Sequence, residues 1–180
     1  MIGRDLMASS DSGKGSALKT ALERSSDRPT AATMQPDVEL FSFRIRQTRF
    51  AVPSGYVSEV VRLPPVTSLP GAPPFLLGVA AHRGEVIPVL DLSRFLGIGT
   101  AGITGRTRSA IARAEGMVLL LVADQLEGLH RIPAASLVAP PLGGEGPIEF
   151  LSGVVSDPGE TLSVLDLPRL LQAARARVVQ

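Results

Sequence analysis

The stretch from Phe75 to Leu96 reads Phe-Leu-Leu-Gly-Val-Ala-Ala-His-Arg-Gly-Glu-Val-Ile-Pro-Val-Leu-Asp-Leu-Ser-Arg-Phe-Leu. From Phe150 to Leu171 the chain reads Phe-Leu-Ser-Gly-Val-Val-Ser-Asp-Pro-Gly-Glu-Thr-Leu-Ser-Val-Leu-Asp-Leu-Pro-Arg-Leu-Leu. Laid together without a gap, 12 of 22 positions are identical, among them Gly78/Gly153, Gly84/Gly159, Glu85/Glu160, Asp91/Asp166 and Arg94/Arg169. Two parts of the chain are built on one plan.

Each copy predicts a strand, a tight turn, a return strand and a capped helix. In the second copy, Pro158-Gly159 has the residues of a type II turn, with glycine supplying positive φ. Pro88 in the first return strand points to a sheet edge, since proline donates no ladder bond. Asp91 and Asp166 stand where a carboxylate accepts the free amides of a first helical turn. Leu92, Phe95 and Leu96 then fall at i, i+3 and i+4, as do Leu167, Leu170 and Leu171, giving each helix one apolar stripe.

Outward from the repeat, the chain is rich in short strands. Residues 38–46 alternate as a half-buried strand and Arg49 to Pro53 returns as a second. Arg44, Arg46 and Arg49 read as a solvated strand face. Tyr56 to Leu63 predicts a helical turn running into a strand. Pro64 to Pro74 holds five prolines in eleven residues, which excludes helix or sheet interior. Arg108 to Ala114, Met117 to Ala123 and Gln125 to Ile132 predict three more strands, the middle one central and buried. Residues 99–107 and 140–147 are glycine- or proline-rich loops. Residues 1–36, without an aromatic and rich in small polar side chains, read as a disordered tail. Many short strands with one helix per half is the pattern of small antiparallel barrels, not of βαβ units.

The bulk numbers exclude several classes. Basic and acidic residues number 18 and 17, so no concentrated positive footprint for nucleic acid exists at the level of composition. Without cysteine there is no thiol nucleophile, disulfide or thiolate metal site. The start lacks a signal-peptide pattern and no apolar run reaches the length of a membrane span, which predicts a cytoplasmic protein. The two histidines, His82 and His130, have no ligand-spaced partner, and no phosphate loop, nucleophile elbow or dinucleotide fingerprint is present. Asp91 and Asp166 recur at the same point of the repeat and are explained as caps, not as a catalytic pair. The reading is a non-enzymatic protein without cofactor or metal.

The copies differ most usefully at the turn, where Arg83 stands against Pro158. Proline suffices to make such a turn, so an arginine there points to a further role. Glu59, an acid among Val57, Val60 and Val61, is its predicted ion-pair partner, an interaction worth roughly 0–1 kcal/mol if exposed.

Several linked segments now carry a resemblance. They are Phe43 with Phe50-Ala51-Val52-Pro53, Val57-x-Glu59-Val60, Thr67-x-Leu69-Pro70-x-Ala72-Pro73, Gly78-Val79 with Arg83-Gly84, Pro88-Val89-x-Asp91-Leu92, and Leu96-Gly97. In this order they resemble the CheW-like family of chemotaxis coupling proteins, over about residues 38–175. The resemblance implies a mainly β domain over 37–180 with two five-stranded SH3-like barrels sharing a core. The first barrel would lie mainly in 49–98 and the second mainly in 107–165, with strands exchanged at the ends and a short helix after each repeat. It implies an adaptor that bridges the cytoplasmic hairpin tips of chemoreceptors, in receptor arrays, and the regulatory domain of a CheA-type histidine kinase. Glu59 and Arg83 would support coupling. Val57 and Val60 would lie near an inter-barrel groove that receives the receptor tip, and Arg62 and Gly84 complete the expected partner-binding set. The kinase would join edge to edge through barrel strands, the first repeat's hairpin being a candidate. Where the family usually has Asn-Leu before the Arg-Gly, this chain has Ala81-His82, which removes a polar side chain beside the turn. The alternative reading is a double-barrel sensor of peptides or small molecules outside chemotaxis.

Overall fold

Strands with apolar residues on both faces need a core on both sides, and this chain supplies three. The computed structural model describes residues 36–140, 146–157 and 160–179. The tail expected over 1–36 lies outside them except for Pro36. The strands are β1 (Asp37–Ile45), β2 (Thr48–Pro53), β3 (Val57–Arg62), β4 (Val66–Thr67), β5 (Leu76–His82), β6 (Glu85–Asp91), β7 (Arg108–Ala114), β8 (Met117–Val122), β9 (Gln125–Pro133), β10 (Leu137–Val138), β11 (Leu151–Asp157) and β12 (Glu160–Leu165). The helices are α1 (Leu92–Phe95) and α2 (Leu167–Val178). A 3-10 turn, Ser54–Tyr56, leads into β3, so the helical turn expected to open Tyr56–Leu63 lies almost wholly before that stretch.

The strands form two sheets of identical plan, β10-β11-β12-β2-β1-β9 and β4-β5-β6-β8-β7-β3. In each, a hairpin from one half of the chain is inserted beside strands of the other half. β12 runs parallel to β2, and β6 runs parallel to β8. The expected division into 49–98 and 107–165 is therefore corrected. β2 belongs with the C-terminal strands, and β7 and β8 belong with β3–β6. The exchange is reciprocal, and each five-stranded plan gains a two-residue sixth strand, β4 or β10. β6 is likewise interior rather than an edge. Its register with β8 begins at Val89, one residue past Pro88, so the missing proline donor falls where that ladder has stopped.

Val61 of β3 and Val66 of β4, at opposite ends of one sheet, both pack on Ala80, Ile87, Val89, Ile111, Leu120 and Val122, which coils that sheet into a barrel. Leu40, Ala51, Val155, Leu162 and Val164 fill the other. The largest cluster lies between the barrels. Phe41, Phe43 and Ile45 of β1 join Leu119 and Leu121 of β8 and the apolar stripes of both helices there. Phe95 touches Phe75 and Phe150 with ring centroids 5.2 Å apart in both cases, so equivalent residues of the two copies meet in one core. β8 is central and buried as expected.

Both caps are present. Asp91 Oδ1 accepts from the Arg94 amide at 3.2 Å and Asp166 Oδ1 from the Arg169 amide at 3.0 Å. Asp91 does more than its twin. It is fully buried, and its Oδ2 also accepts from the Ala101 amide at 3.1 Å, anchoring the loop that leads to the second half.

Arg44 and Arg49 do not belong to a solvated face, whereas Arg46 is exposed. Arg44 reaches Glu160 at 2.6 Å and Glu127 at 3.1 Å, while Arg49 donates to Glu127 at 2.9 Å. Arg46 donates from Nε to the Ile98 carbonyl at 2.9 Å. Sequence separation hid these partners, because Glu127 and Glu160 come from β9 and β12. Burial pushes the Glu127 carboxyl up, but the Arg49 and Ser42 hydrogen bonds and the charges of Arg49 and Arg44 outweigh it and hold it below its ordinary value. Hydrogen bonding from Arg44 likewise lowers Glu160. Both carboxyls are depressed in the folded state. Their stabilisation is therefore complete above the unfolded carboxyl value, about 4.3, and is lost as pH falls through the lowered folded values. We expect the urea midpoint to fall on acidification below about pH 5. Glu127→Gln should flatten that acid limb.

Candidate functional site

β3 carries four of the six expected site residues, and a bulge decides how they face. Val57 pairs with Ala112 and Glu59 with Ile111, leaving Ser58 as the extra residue, its hydroxyl donating to the Ile111 carbonyl at 3.2 Å. Val57, Val60 and Arg62 thus share the outer face with Ala112, Ala110 and Arg108. Glu59 and Val61 share the barrel side with Ile111 and Ser109. The expected set is divided between two faces.

On the barrel side Glu59 meets the β5–β6 hairpin. Arg83 donates to Glu59 Oε1 at 3.0 Å, and His82 Nε2 lies 3.5 Å from Oε2. The predicted ion pair exists, and its arginine is 73% exposed, so it contributes little to stability and leaves its guanidinium open to a partner. The pair ties β3, one end of the sheet, to the turn joining β5 and β6.

The turn joining β5 and β6, expected as a tight turn, has a defined type. Its two central residues, Arg83 at φ 49° and Gly84 at φ 84°, are both left-handed, the pattern of a type I′ hairpin, not type II. Gly84 is needed for this conformation. Proline, locked near −65°, could not adopt the φ of Arg83. Pro158 and Gly159 lie outside the described residues. Beside the turn, Ala81 and Val86 pair across the strands, and Val86 is 70% exposed.

A second feature is walled by none of the six expected site residues. An apolar groove of about 370 Å³ runs between β5, β6 and β8 on one side and the end of α2 on the other. Phe75, Pro88, Leu90, Leu119, Leu171 and Val178 are among its walls. It opens on the rim of the inter-barrel core, and the outer-face row that holds Leu119 continues through Ala112 to Val57. Val57 and Val60 share that face without lining the groove. The exposed Val178 and Val179 beyond the last core turn of α2 were the available signal. Among the described residues no group of three or more His, Asp or Glu could hold a metal, and no helix is long and apolar enough to cross a membrane.

Comparison with known proteins agrees with this arrangement. Residues 39–175 match the CheW-like domain family. The protein FrzA of Myxococcus xanthus is 47% identical over 155 residues, covering 85% of this chain and 97% of that one. The probable chemotaxis protein CheW of Rhizobium etli is 28% identical over 76% of this chain and 88% of its own. In structure, the scaffolding protein TtCheW from Thermoanaerobacter tengcongensis superposes with a TM-score of 0.69 at 25% identity, over 75% of this chain and 92% of that chain. The two coiled sheets are thus the SH3-like barrels of that fold. These relatives favour a chemotaxis coupling adaptor over a sensor outside chemotaxis. The chain belongs to the CheW-like family.

Proposed function

We propose that this protein joins the cytoplasmic hairpin tip of a chemoreceptor to the regulatory domain of a CheA-type histidine kinase, acting in the cytoplasm at receptor arrays and performing no chemistry itself. The observation that carries the reading is the apolar groove. A helical hairpin presents apolar anchors at i, i+3, i+4 and i+7, and a slot walled by Leu90, Leu119, Leu171 and Val178 suits such a face. The β5–β6 hairpin supplies the kinase side. Its exposed Val86 and paired Ala81 offer an apolar strand surface, and Glu59 with Arg83 holds the turn in place.

The reading is tested by titrating a receptor cytoplasmic fragment and the kinase regulatory domain separately against Val178→Lys. Val178 is 47% exposed, and a cation near a helix C-terminus is favourable, so the variant should fold with stability changed by no more than about 0.5 kcal/mol. Affinity for the receptor fragment should fall about tenfold or more, with kinase affinity unchanged. Equal affinity of wild type and variant for the receptor fragment would remove the groove from the interface. Failure of the wild type to bind either partner would remove the coupling reading.

A further inference from the structure

Arg62 and Arg108 stand directly opposite one another on β3 and β7, with side chains on the same outer face. Like charges in that position repel and destabilise a sheet. Arg106, in the loop entering β7, lines the same cleft, and all three side chains are exposed. No carboxylate forms a salt bridge or hydrogen bond with any of the three among the described residues, whereas Arg44, Arg83, Arg94, Arg131 and Arg177 each hold an acid. The cleft measures about 550 Å³ and is completed by Val60 and Val61. Two forked donors on a strand pair and a third in the adjoining loop line one cleft beside Val60, which makes an anion site with an apolar margin.

We propose that this cleft docks a carboxylate-rich segment of a protein partner. Guanidinium forks suit carboxylates in pairs, and the valine edge suits an apolar residue interspersed with them. Three arginines in a chain of net charge +1 are too few for a nucleic-acid footprint. A concave site also mismatches a flat bilayer. The site uses neither the apolar groove nor the Glu59–Arg83 pair, so it can fail while the coupling reading stands, and the reverse.

The repulsion provides a readout that needs no natural partner. Thermal unfolding of the full chain is followed at low salt and at about 0.5 M salt, with and without a deca-glutamate peptide. At low salt Arg108→Glu should raise the midpoint by about 2 °C, because it replaces a repulsive cross-strand pair with an attractive one, and high salt should remove the gain. The peptide should raise the wild-type midpoint at low salt through binding to the folded state. It should not do so for Arg108→Glu or for Arg106→Glu, the latter in an exposed loop. Arg113→Glu, exposed on the same strand but on the other face, should keep the peptide response. The proposal is overturned by absence of a peptide response in the wild type, or by an equal loss in Arg113→Glu. It is also overturned if inorganic phosphate at matched charge shifts the midpoint as strongly as the peptide, or if the chain binds phosphatidylglycerol vesicles in an Arg106-dependent way without answering the peptide.

Discussion

Gly78→Ala should destabilise the domain by about 3–5 kcal/mol, enough to leave much of it unfolded at ambient temperature. Gly78 sits at φ 141°, a region that a side chain rarely enters. A Cβ there would run into the Thr67 carbonyl oxygen, with the Thr67 carbonyl carbon at 2.7 Å and Ser68 Cα at 2.9 Å. All three are backbone atoms of β4 and its flank, so relief requires moving a strand. The register of β5 on β6 shifts at this same point, between Leu76 and Gly78, and the glycine is what lets β5 bend toward β4. Its twin tests the argument. A Cβ on Gly153 would meet Leu137 Cδ1 at 2.6 Å and Val138 O at 3.1 Å, and no positive φ is required there. Leu137 can turn aside, so Gly153→Ala should cost about 1–2 kcal/mol. Urea midpoints for the two variants check the order. Equal effects would mean that the left-handed backbone at Gly78 carries none of the difference.

Glu127→Ala should have the second largest effect on stability, a loss of about 3 kcal/mol. Glu127 is mostly buried, with 16% of its side chain exposed, and Arg49 beside it is 10% exposed. Removing the acid takes away the 2.9 Å partner of Arg49, which keeps Glu160 only at 3.8 Å, and it leaves the Ser42 hydroxyl the longer bond to the Gly128 carbonyl at 3.4 Å. Glu160→Ala should cost less, since that carboxylate is more exposed and Arg44 keeps Glu127. Glu127→Gln should fall between wild type and alanine, because it retains an acceptor without the charge. Chemical denaturation at pH 7 ranks the three. A loss in Glu160→Ala equal to that in Glu127→Ala would contradict the burial argument.

The internal repeat was legible because its residues answer to local rules. Asp91 and Asp166 cap, and the leucine stripes bury themselves, whatever lies around them. The direction of strand exchange was not legible. Nothing near β2 announces that it will lie beside β12 rather than β6, because parallel pairing is decided by the core that the two barrels share. Pro88 looked like an edge residue for the same reason. The rule about its missing amide is local, but the point where the β8 ladder starts is not. The turn type at Arg83 was not legible, because a tight turn with glycine at its third position is compatible with more than one type. Gly84 suits type I′ and type II alike, and the φ of Arg83, 49°, decides between them. Glu59 and Arg83 were found by contrast between copies. The groove was hidden because its walls come from β5, β6, β8 and α2, each contributing residues that read individually as core.

In this account the scaffold and the coupling surface are separable. Gly78, Asp91 and the Glu127 network hold the barrels, whereas Arg83 is exposed and adds about 0–1 kcal/mol. The most direct test is kinase activity in a complex reconstituted from receptor fragment, kinase and either wild-type protein or Arg83→Ala, with the unfolding midpoint measured on the same samples. An unfolding free energy within about 1 kcal/mol of wild type is expected, together with receptor-dependent kinase stimulation reduced about tenfold or more. Full stimulation by Arg83→Ala, or a loss that tracks unfolding of the variant, would contradict it.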